Sequence, residues 1–197
     1  MNGAMIMKKA ITALSLATAL FIPGISSAAD LNYDFVELQY SQTDLDLYSD
    51  DLTGFDINLN KSLSNNIYLL LDYSSGSINT ILGDLDASGI AVGVGIHAVS
   101  IINKTDLVTE LAVIKGDIEL AGVSVDANGY GIAAGLRSKL TDRHESLIFI
   151  SYTDVEDETD TSIEIALAYE IIPSLQITAG ADFEDENTLS IGLRLNY

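Results

Sequence analysis

The chain has 197 residues, which is enough for one domain with its own core. It carries 29 acidic and 9 basic residues, a formal net charge of −20, and this charge excludes binding to nucleic-acid phosphates as its function. The absence of cysteine excludes disulfides and thiolate chemistry, and a 48% hydrophobic composition argues against disorder despite the high charge.

The first 29 residues have the three parts of a secretory signal peptide. Lys8 and Lys9 form the positive region, residues 10–22 form an apolar run, and small residues up to Ala28 and Ala29 offer a cleavage site. The apolar run has 13 residues, whereas a bilayer-spanning helix needs roughly 20. Three methionines could start translation: Met1, Met5 and Met7. We therefore expect a signal peptide over 1–29 and one domain over 30–197, with 7 basic and 29 acidic residues.

Ten stretches of the domain alternate apolar and polar residues, which is typical of strands whose two faces meet different environments. In chain order they are 33–42, 53–60, 67–74, 87–97, 106–114, 128–137, 146–153, 162–171, 175–184 and 188–197. The weakest is 146–153, which is apolar on both parities. A tilted membrane strand needs about 9–11 residues, and bacterial outer-membrane barrels have even strand numbers. The pattern predicts an all-β fold, a closed antiparallel transmembrane β-barrel of ten strands, with eight as the alternative.

Aromatic residues concentrate at the strand ends, on the apolar parity. Ten antiparallel strands place both ends of the chain on one side, which we expect to be periplasmic. Six aromatic residues then fall at the outer rim and two at the inner rim: Tyr40, Phe55, Tyr73, Tyr130, Tyr152 and Phe183, then Tyr169 and Tyr197. Two aromatic girdles around an apolar band are typical of bilayer interfaces. With Tyr152 in the outer girdle, Ile148 and Ile150 face lipid, while Leu147 and Phe149 fill the lumen opposite the glycines of the sixth strand.

Charge and loop length follow the same two-sided pattern. The predicted outer connections hold 17 acidic residues and one basic residue, Lys115. The inner connections hold Lys61, Lys104, Lys139 and Arg143. Inner connections run about 3 to 8 residues and outer ones reach about 13, the usual pattern of membrane barrels. We expect acidic surface loops on the outside.

The rival fold is a soluble secreted barrel or sandwich. Its apolar face would point inward and would need bulky, interdigitating partners. The polar parity of this chain is instead rich in glycine and alanine, with scattered charges. That composition favours a narrow polar lumen filled by side chains.

Several stretches resemble a known family. They are the ending 189–197, the turn and strand 103–107, and the glycine-rich stretches 93–95 and 129–131. In these the chain is similar to the small outer-membrane β-barrel proteins of Gram-negative bacteria, the group of the OmpA barrel, OmpX and Ail-like proteins. The resemblance implies export by a Sec signal peptide and insertion by the barrel-assembly machinery through the C-terminal strand. It also implies contact with outer-membrane lipid and lipopolysaccharide. Because OmpX-type members have eight strands, it does not extend to a specific activity.

Candidate site residues lie on the lumen parity, and we expect them to form a polar network. They are Glu37, Asp56, Asp72, His97, Glu110, Arg137, Glu164, Asp182 and Arg194. Buried charges need partners, so the plain interpretation is an ionic network around the two arginines, and the alternative is an ion pathway. The second histidine, His144, is expected in an exposed turn. Since neither histidine is at the outer end, a catalytic triad of the kind found in barrel enzymes is not expected there, and we predict no enzyme activity and no cofactor.

An acidic run offers a weak metal-binding candidate in Asp154, Glu156, Asp157, Glu158 and Asp160. Carboxylates suit Ca²⁺, but the run lacks the glycine and the spaced glutamate of a calcium loop. Acidic loops could instead share divalent cations with lipopolysaccharide. Two functions therefore stay open: a structural or surface-interaction protein of the cell envelope, and a small passive cation-preferring pore (porin-like).

Overall fold

The computed structural model describes residues 31–45, 51–80, 83–99, 104–120, 122–156, 158–184 and 186–197. The predicted signal peptide, 1–29, lies outside the described residues. None of the described segments forms a helix long and apolar enough to cross a membrane.

The described residues form ten antiparallel strands that close into one barrel, as the alternation predicted. The strands are β1 (Phe35–Thr43), β2 (Leu52–Ser62), β3 (Ile67–Thr80), β4 (Gly83–Val99), β5 (Thr105–Leu120), β6 (Val123–Lys139), β7 (His144–Val155), β8 (Glu158–Ile172), β9 (Leu175–Phe183) and β10 (Thr188–Asn196). Each strand pairs with its neighbours in sequence, and β1 pairs with β10 from Phe35↔Asn196 to Thr43↔Thr188. We call the end that holds Phe35 the terminal end and the opposite end the distal end. Closure leaves no free edge along the paired strands.

The alternation assigns side chains to the two faces of the wall. On β3, Leu69, Leu71 and Tyr73 are exposed on the outside, while Tyr68 and Leu70 are buried inside. Because successive side chains of a strand point to opposite faces, this period of two follows from the backbone. The apolar side chains that are exposed on the outside of the wall range from 38% (Leu71) to 67% (Val113) exposed, while others on that face, such as Val36 and Ile96, are half-buried.

Three of the outer connections are much shorter than predicted, and the expectation of long acidic loops is wrong there. β3 ends at Thr80 and β4 begins at Gly83, while β5 ends at Leu120 and β6 begins at Val123. β7 ends at Val155 and β8 begins at Glu158. Residues assigned to loops over 76–86, 115–127 and 154–161 therefore lie largely in strands. The four strands β3 to β6 run well past the aromatic positions at the distal end.

The apolar pattern changes face in this extension, which explains the error. On β4, Leu85 and Ala87 are buried inside the barrel while Asp84 and Asp86 are exposed outside. From Ile90 onward the large apolar residues Ile90, Val92 and Val94 point outside instead. A small core lies mainly against β2 to β5 in the distal interior and consists of Leu45, Leu52, Ile78, Leu85, Ala87 and Ile118. Where water wets the outer face, apolar side chains are buried on the inner face.

The rest of the interior is also more apolar than the predicted polar lumen. A second core lines the barrel mainly from β3 to β7: Tyr33, Tyr68, Leu70, Ala91, Val108, Ala112, Ile114, Ala127, Ala133, Phe149 and Val155. Phe149 pairs with Gly135, as expected, and a β-carbon on Gly135 would lie 2.5 Å from the Phe149 ring. Glycine thus makes room for the ring inside the wall. The charged residues are confined to the remaining interior space.

Candidate functional site

An ion pair spans the seam where the barrel closes. Glu37 on β1 and Arg194 on β10 are direct partners in the strand register. Arg194 Nε donates to Glu37 Oε2 at 2.7 Å, and its guanidinium lies 4.5 Å from the centre of the Phe35 ring. Gln39 Nε2 donates to the other oxygen, Glu37 Oε1, at 2.8 Å. The Glu37 side chain is buried and that of Arg194 is 11% exposed, so each charge depends on the other for its stability inside the protein.

A second ion pair lies beside the first at the terminal end. Arg137 on β6 donates from Nη2 to Glu145 Oε2 at 2.7 Å and from Nε to the same oxygen at 3.2 Å. Gln176 Nε2 donates to Glu145 Oε1 at 3.0 Å, and Arg194 Nη1 lies 3.8 Å from Glu145 Oε2. The two buried arginines are thus balanced by two carboxylates, Glu37 and Glu145.

The segment before β1 enters the terminal mouth of the barrel. Tyr33 is only 4% exposed, and its ring stacks on His97 with centroids 3.9 Å apart and on Tyr68 at 5.0 Å. Its hydroxyl donates to Asp106 Oδ2 at 3.1 Å, and the Arg137 guanidinium lies 4.7 Å from its ring centre. We call these five residues, Tyr33, Tyr68, His97, Asp106 and Arg137, the floor.

Three further contacts fix the segment in place. Arg137 Nη1 donates to the carbonyl oxygen of Asn32 at 2.8 Å. Asp34 Oδ1 accepts the backbone N–H of Ser62 at 2.7 Å and lies 3.1 Å from Lys61 Nζ. Partial burial acts to raise the pKa of Asp34, but the Ser62 amide and the Lys61 ammonium outweigh it and lower that pKa below its ordinary value. Asp34 therefore holds the segment against the rim while Tyr33 reaches inward.

Five more carboxylates occupy the interior on the distal side of the floor: Asp56, Asp72, Glu110, Glu164 and Asp182. Within the described part of the chain, none of them forms a salt bridge with a lysine or an arginine. Glu110 accepts a hydrogen bond from the Tyr68 hydroxyl, and Asp182 accepts one from Ser162 at 3.2 Å. Glu164 and Asp182 face each other as register partners on β8 and β9. Acidic groups thus exceed basic ones inside the barrel.

Two cavities connect these carboxylates. The first, of about 100 Å³, lies on the floor and is bordered by Glu37, Asp72, Glu110 and Glu164. The second, of about 70 Å³, lies farther toward the distal end and is bordered by Asp56, Glu164 and Asp182, among hydroxyl and glycine residues. Gln39 and Glu164 border both cavities. Each is large enough to hold several water molecules.

His97, one of the predicted network residues, belongs to the floor. Its Nδ1 lies 3.1 Å from Asp106 Oδ2, and both side chains are buried. His144 is exposed at the start of β7, where Nδ1 lies 2.7 Å from Thr141 Oγ1. The nine predicted lumen residues therefore fall into two groups, one at the floor and the seam and one along the two cavities.

The eight aromatic residues assigned to girdles all lie on the outside of the wall. Their exposed fractions run from 39% for Tyr152 to 58% for Phe55, and they comprise Tyr40, Phe55, Tyr73, Tyr130, Tyr152, Phe183, Tyr169 and Tyr197. Tyr40 and Phe55 are register partners on β1 and β2, with ring centroids 5.5 Å apart.

The acidic run after β7 is split between the two faces of the sheet. Asp154 is on the outside, where it accepts a hydrogen bond from Tyr130 at 3.2 Å. Glu158 and Asp160 share the inward parity of Ser162, and Glu156 Oε1 accepts the Asn128 N–H at 2.9 Å. Asp157 lies outside the described residues. Across the part of the chain that the structure describes, no group of three or more such side chains is placed to hold a metal ion.

One carboxyl at the distal end has a strongly altered pKa. Burial raises the pKa of Glu184 to about 9, together with a hydrogen bond to the neighbouring Asp160 carboxyl and the negative charge of that group. This residue follows β9 and lies beyond the exposed Phe183 ring.

Sequence reasoning missed four residues that build the floor and its ion pairs: Tyr33, Tyr68, Asp106 and Glu145. All four share the inward parity of their strands or of the segment before β1, so parity alone could have identified them. Asp106 and Glu145 are found at strand starts, where a predicted boundary separates strand from turn. What parity does not reveal is which side chains meet across the interior.

No known protein-family model matches the chain, and no curated protein matches it. Solved structures with a similar barrel include the KdgM porin, with 7% identity, covering 82% of this chain and 99% of that one at a TM-score of 0.47. The β domain of the Bordetella autotransporter BrkA has 12% identity, with coverages of 83% and 99% and a TM-score of 0.47. Ail of Yersinia pestis has 14% identity, with coverages of 83% and 95% and a TM-score of 0.41. These proteins are outer-membrane β-barrels. The chain is similar to them only in its fold, a closed antiparallel barrel.

Proposed function

We propose that the chain is an integral outer-membrane β-barrel of a Gram-negative bacterium and that it serves as a structural or surface-interaction protein of the envelope. The observation that supports the membrane placement is the apolar belt on the outside of every strand. Leu, Ile and Val side chains there are about half exposed. In water, such a surface would cost about 25 cal/mol of free energy for each Å² of apolar area in contact with the solvent. Lipid chains cover a surface of this kind without that penalty.

The upper limit of the belt supports the same placement. On β4, the outward side chains change from Asp84 and Asp86 to Ile90 and Val92, and on β5 from Val113 to Lys115. Tyrosine and phenylalanine rings lie close to this change, at the depth where bilayer interfaces favour aromatic residues. We infer that the distal end faces outward and the terminal end faces the periplasm.

The filled interior favours a structural role. Two cores, the floor and the seam ion pair occupy interior space that a porin would leave open to water. Above the belt, the outward carboxylates of β4 and β5 would meet lipopolysaccharide phosphates through shared divalent cations. Assembly would depend on the barrel-assembly machinery and the C-terminal strand.

A second candidate function is a small passive cation pore. The observation that favours it is the set of five interior carboxylates with no basic partner in the described residues. Fixed negative charge along a water-filled path attracts cations and repels anions.

Refolding into lipid vesicles tests the membrane placement. A folded barrel in detergent should migrate differently on a gel before and after boiling, and it should float with vesicles after a carbonate wash. A chain that stays dispersed without detergent and migrates identically in both states would contradict the proposal. Conductance in planar bilayers then separates the candidates, because a structural barrel is silent and a pore gives cation-selective steps.

A further inference from the structure

We propose that the interior is a cation pathway closed at one level by the floor, and that the Tyr33 ring is the closing element. This inference rests on the proposed membrane placement. It concerns the same interior carboxylates as the second candidate function, and it names what keeps a path along them shut in the native protein. The expected consequence is that the native protein is silent, while a protein without the Tyr33 ring conducts cations.

The carboxylates form a continuous series from the distal cavity to the floor. Asp56 and Asp182 border the distal cavity, Glu164 borders both cavities, and Asp72 and Glu110 border the cavity above the floor. A cation in the distal cavity would therefore meet one carboxylate after the next on the way to the floor. Gln39 and Glu164 border both cavities, so the boundary between the cavities runs along these two side chains.

The series ends at the floor for steric reasons. The Tyr33 ring stacks on His97, has the Arg137 guanidinium 4.7 Å from its centre and is almost completely buried. Its hydroxyl is hydrogen-bonded to Asp106, which is fully buried. Stacked rings at 3.9 Å leave no space for water between them.

Tyr33 differs from the other floor residues in how the chain holds it. Tyr68, His97, Asp106 and Arg137 lie on β3 to β6, where strand pairing fixes their backbones. Tyr33 precedes β1, which begins at Phe35, so its position depends on its own side-chain contacts, on the Asn32 carbonyl and on the hydrogen bonds that Asp34 accepts from Ser62 and Tyr197. Removing this ring therefore leaves every strand pair of the barrel intact.

Charge decides which ions the opened path admits. Arg137 is paired with Glu145, and Arg194 is paired with Glu37. The remaining five carboxylates give the path a net negative charge whenever they are ionised. Cations are therefore expected to pass and chloride to be excluded.

The test uses planar-bilayer conductance of the refolded full-length domain carrying Tyr33→Ala. The matched control is Tyr169→Ala, which removes the same ring from the outside of the wall at the same end, where Tyr169 is 40% exposed. A second variant, Tyr33→Phe, keeps the ring and loses only the hydrogen bond to Asp106. We expect steady conductance for Tyr33→Ala and silence for the native protein, Tyr33→Phe and Tyr169→Ala.

Selectivity is measured in the same bilayers under a KCl gradient. The reversal potential of Tyr33→Ala should have the sign for K⁺ over Cl⁻. Adding Glu164→Gln and Asp182→Asn in that background should remove most of this preference. An anion-selective current, or a cation preference that these two changes leave untouched, would overturn the inference.

Insertion is followed separately by gel mobility and vesicle flotation. If Tyr33→Ala fails to refold, Tyr33→Leu, which keeps an apolar but shorter side chain, takes its place. If the ring-removing variant inserts but does not conduct, the closed cation pathway is overturned, while the membrane placement is unaffected. A native protein that already conducts steadily overturns the closed floor, and a native protein that does not insert defeats the proposed function itself.

Discussion

The seam ion pair allows a quantitative test of what closes the barrel. Replacing Arg194 by methionine keeps an unbranched side chain of similar reach and removes the guanidinium. The change leaves the Glu37 carboxylate, which is 2% exposed, with the Gln39 amide as a hydrogen-bond donor but without its cation. It also removes the 4.5 Å stacking contact on Phe35 and the 3.8 Å approach to Glu145.

The expected cost follows from the buried charge that remains. Removing one partner of a buried ion pair typically lowers the free energy of unfolding by about 3–5 kcal/mol. If Glu37 is also changed to glutamine, the uncompensated charge is gone. The double variant Glu37→Gln with Arg194→Met should therefore be more stable than Arg194→Met alone. The resulting coupling energy between the two sites should be about 1–3 kcal/mol.

Unfolding by guanidinium in lipid vesicles, followed by far-ultraviolet circular dichroism, measures these values. The sequence has no tryptophan, so tryptophan fluorescence is not an alternative. Arg143→Met is the matched control, because Arg143 is exposed in the turn between β6 and β7, and its effect should stay within about 0.5 kcal/mol. A cost for Arg194→Met no greater than that for Arg143→Met, or a coupling energy of zero, would refute a stabilising role for the seam ion pair.

Two further predictions concern packing and pH. A β-carbon on Gly95 would lie 2.3 Å from the Tyr68 ring, so Gly95→Ala should cost about 1–3 kcal/mol and most of that cost should vanish in a Tyr68→Leu background. Gly135→Ala is the control that Tyr68→Leu should not rescue, because its β-carbon would lie 2.2 Å from a backbone carbonyl oxygen; equal rescue of both would contradict the packing argument. The pKa of Glu184, raised to about 9, means that the folded protein keeps a proton that the unfolded chain has released, so this group makes stability fall as pH rises from about 4.5 to about 9. Glu184→Gln should reduce that fall in unfolding titrations across this range, and parallel curves for the two proteins would show that the carboxyl does not titrate as described.

Alternation in the sequence was sufficient to predict the strands and their two faces. Leu69, Leu71 and Tyr73 are outside because every second residue of a strand points the same way, and this rule needs no knowledge of the fold. The strand count follows from the same rule, and the structure confirms it. The seam pairing of Glu37 with Arg194 also follows once the first and last strands are known to be neighbours.

The floor could not be predicted in the same way. Tyr33, His97 and Asp106 come from a segment before β1 and from two strands on another part of the wall. Whether these side chains contact each other depends on the width of the interior and on which side chains fill it. The alternation of residues along a strand gives neither. The extension of β3 to β6 was missed for a different reason. The strand prediction relies on apolar residues that recur on one face. A predicted strand therefore ends where that face becomes polar, even if the strand itself continues.

The change of face on β4 marks the outer limit of the apolar belt, and substitutions along the strand can locate this limit. In the proposed membrane placement, the part of β4 below this limit separates lipid from the barrel interior, and the part above it separates water from the small distal core. Along one part of this strand the apolar residues face outward, as in a membrane protein. Along the other part they face the interior, as in a soluble protein. Tolerance to aspartate at the outward, even-numbered positions should consequently change around Ser88 and Gly89: positions 84 and 86 already hold aspartate, whereas Ile90, Val92 and Val94 should not accept it. A scan of single aspartate substitutions along β4 would then measure how deeply this barrel sits in its membrane.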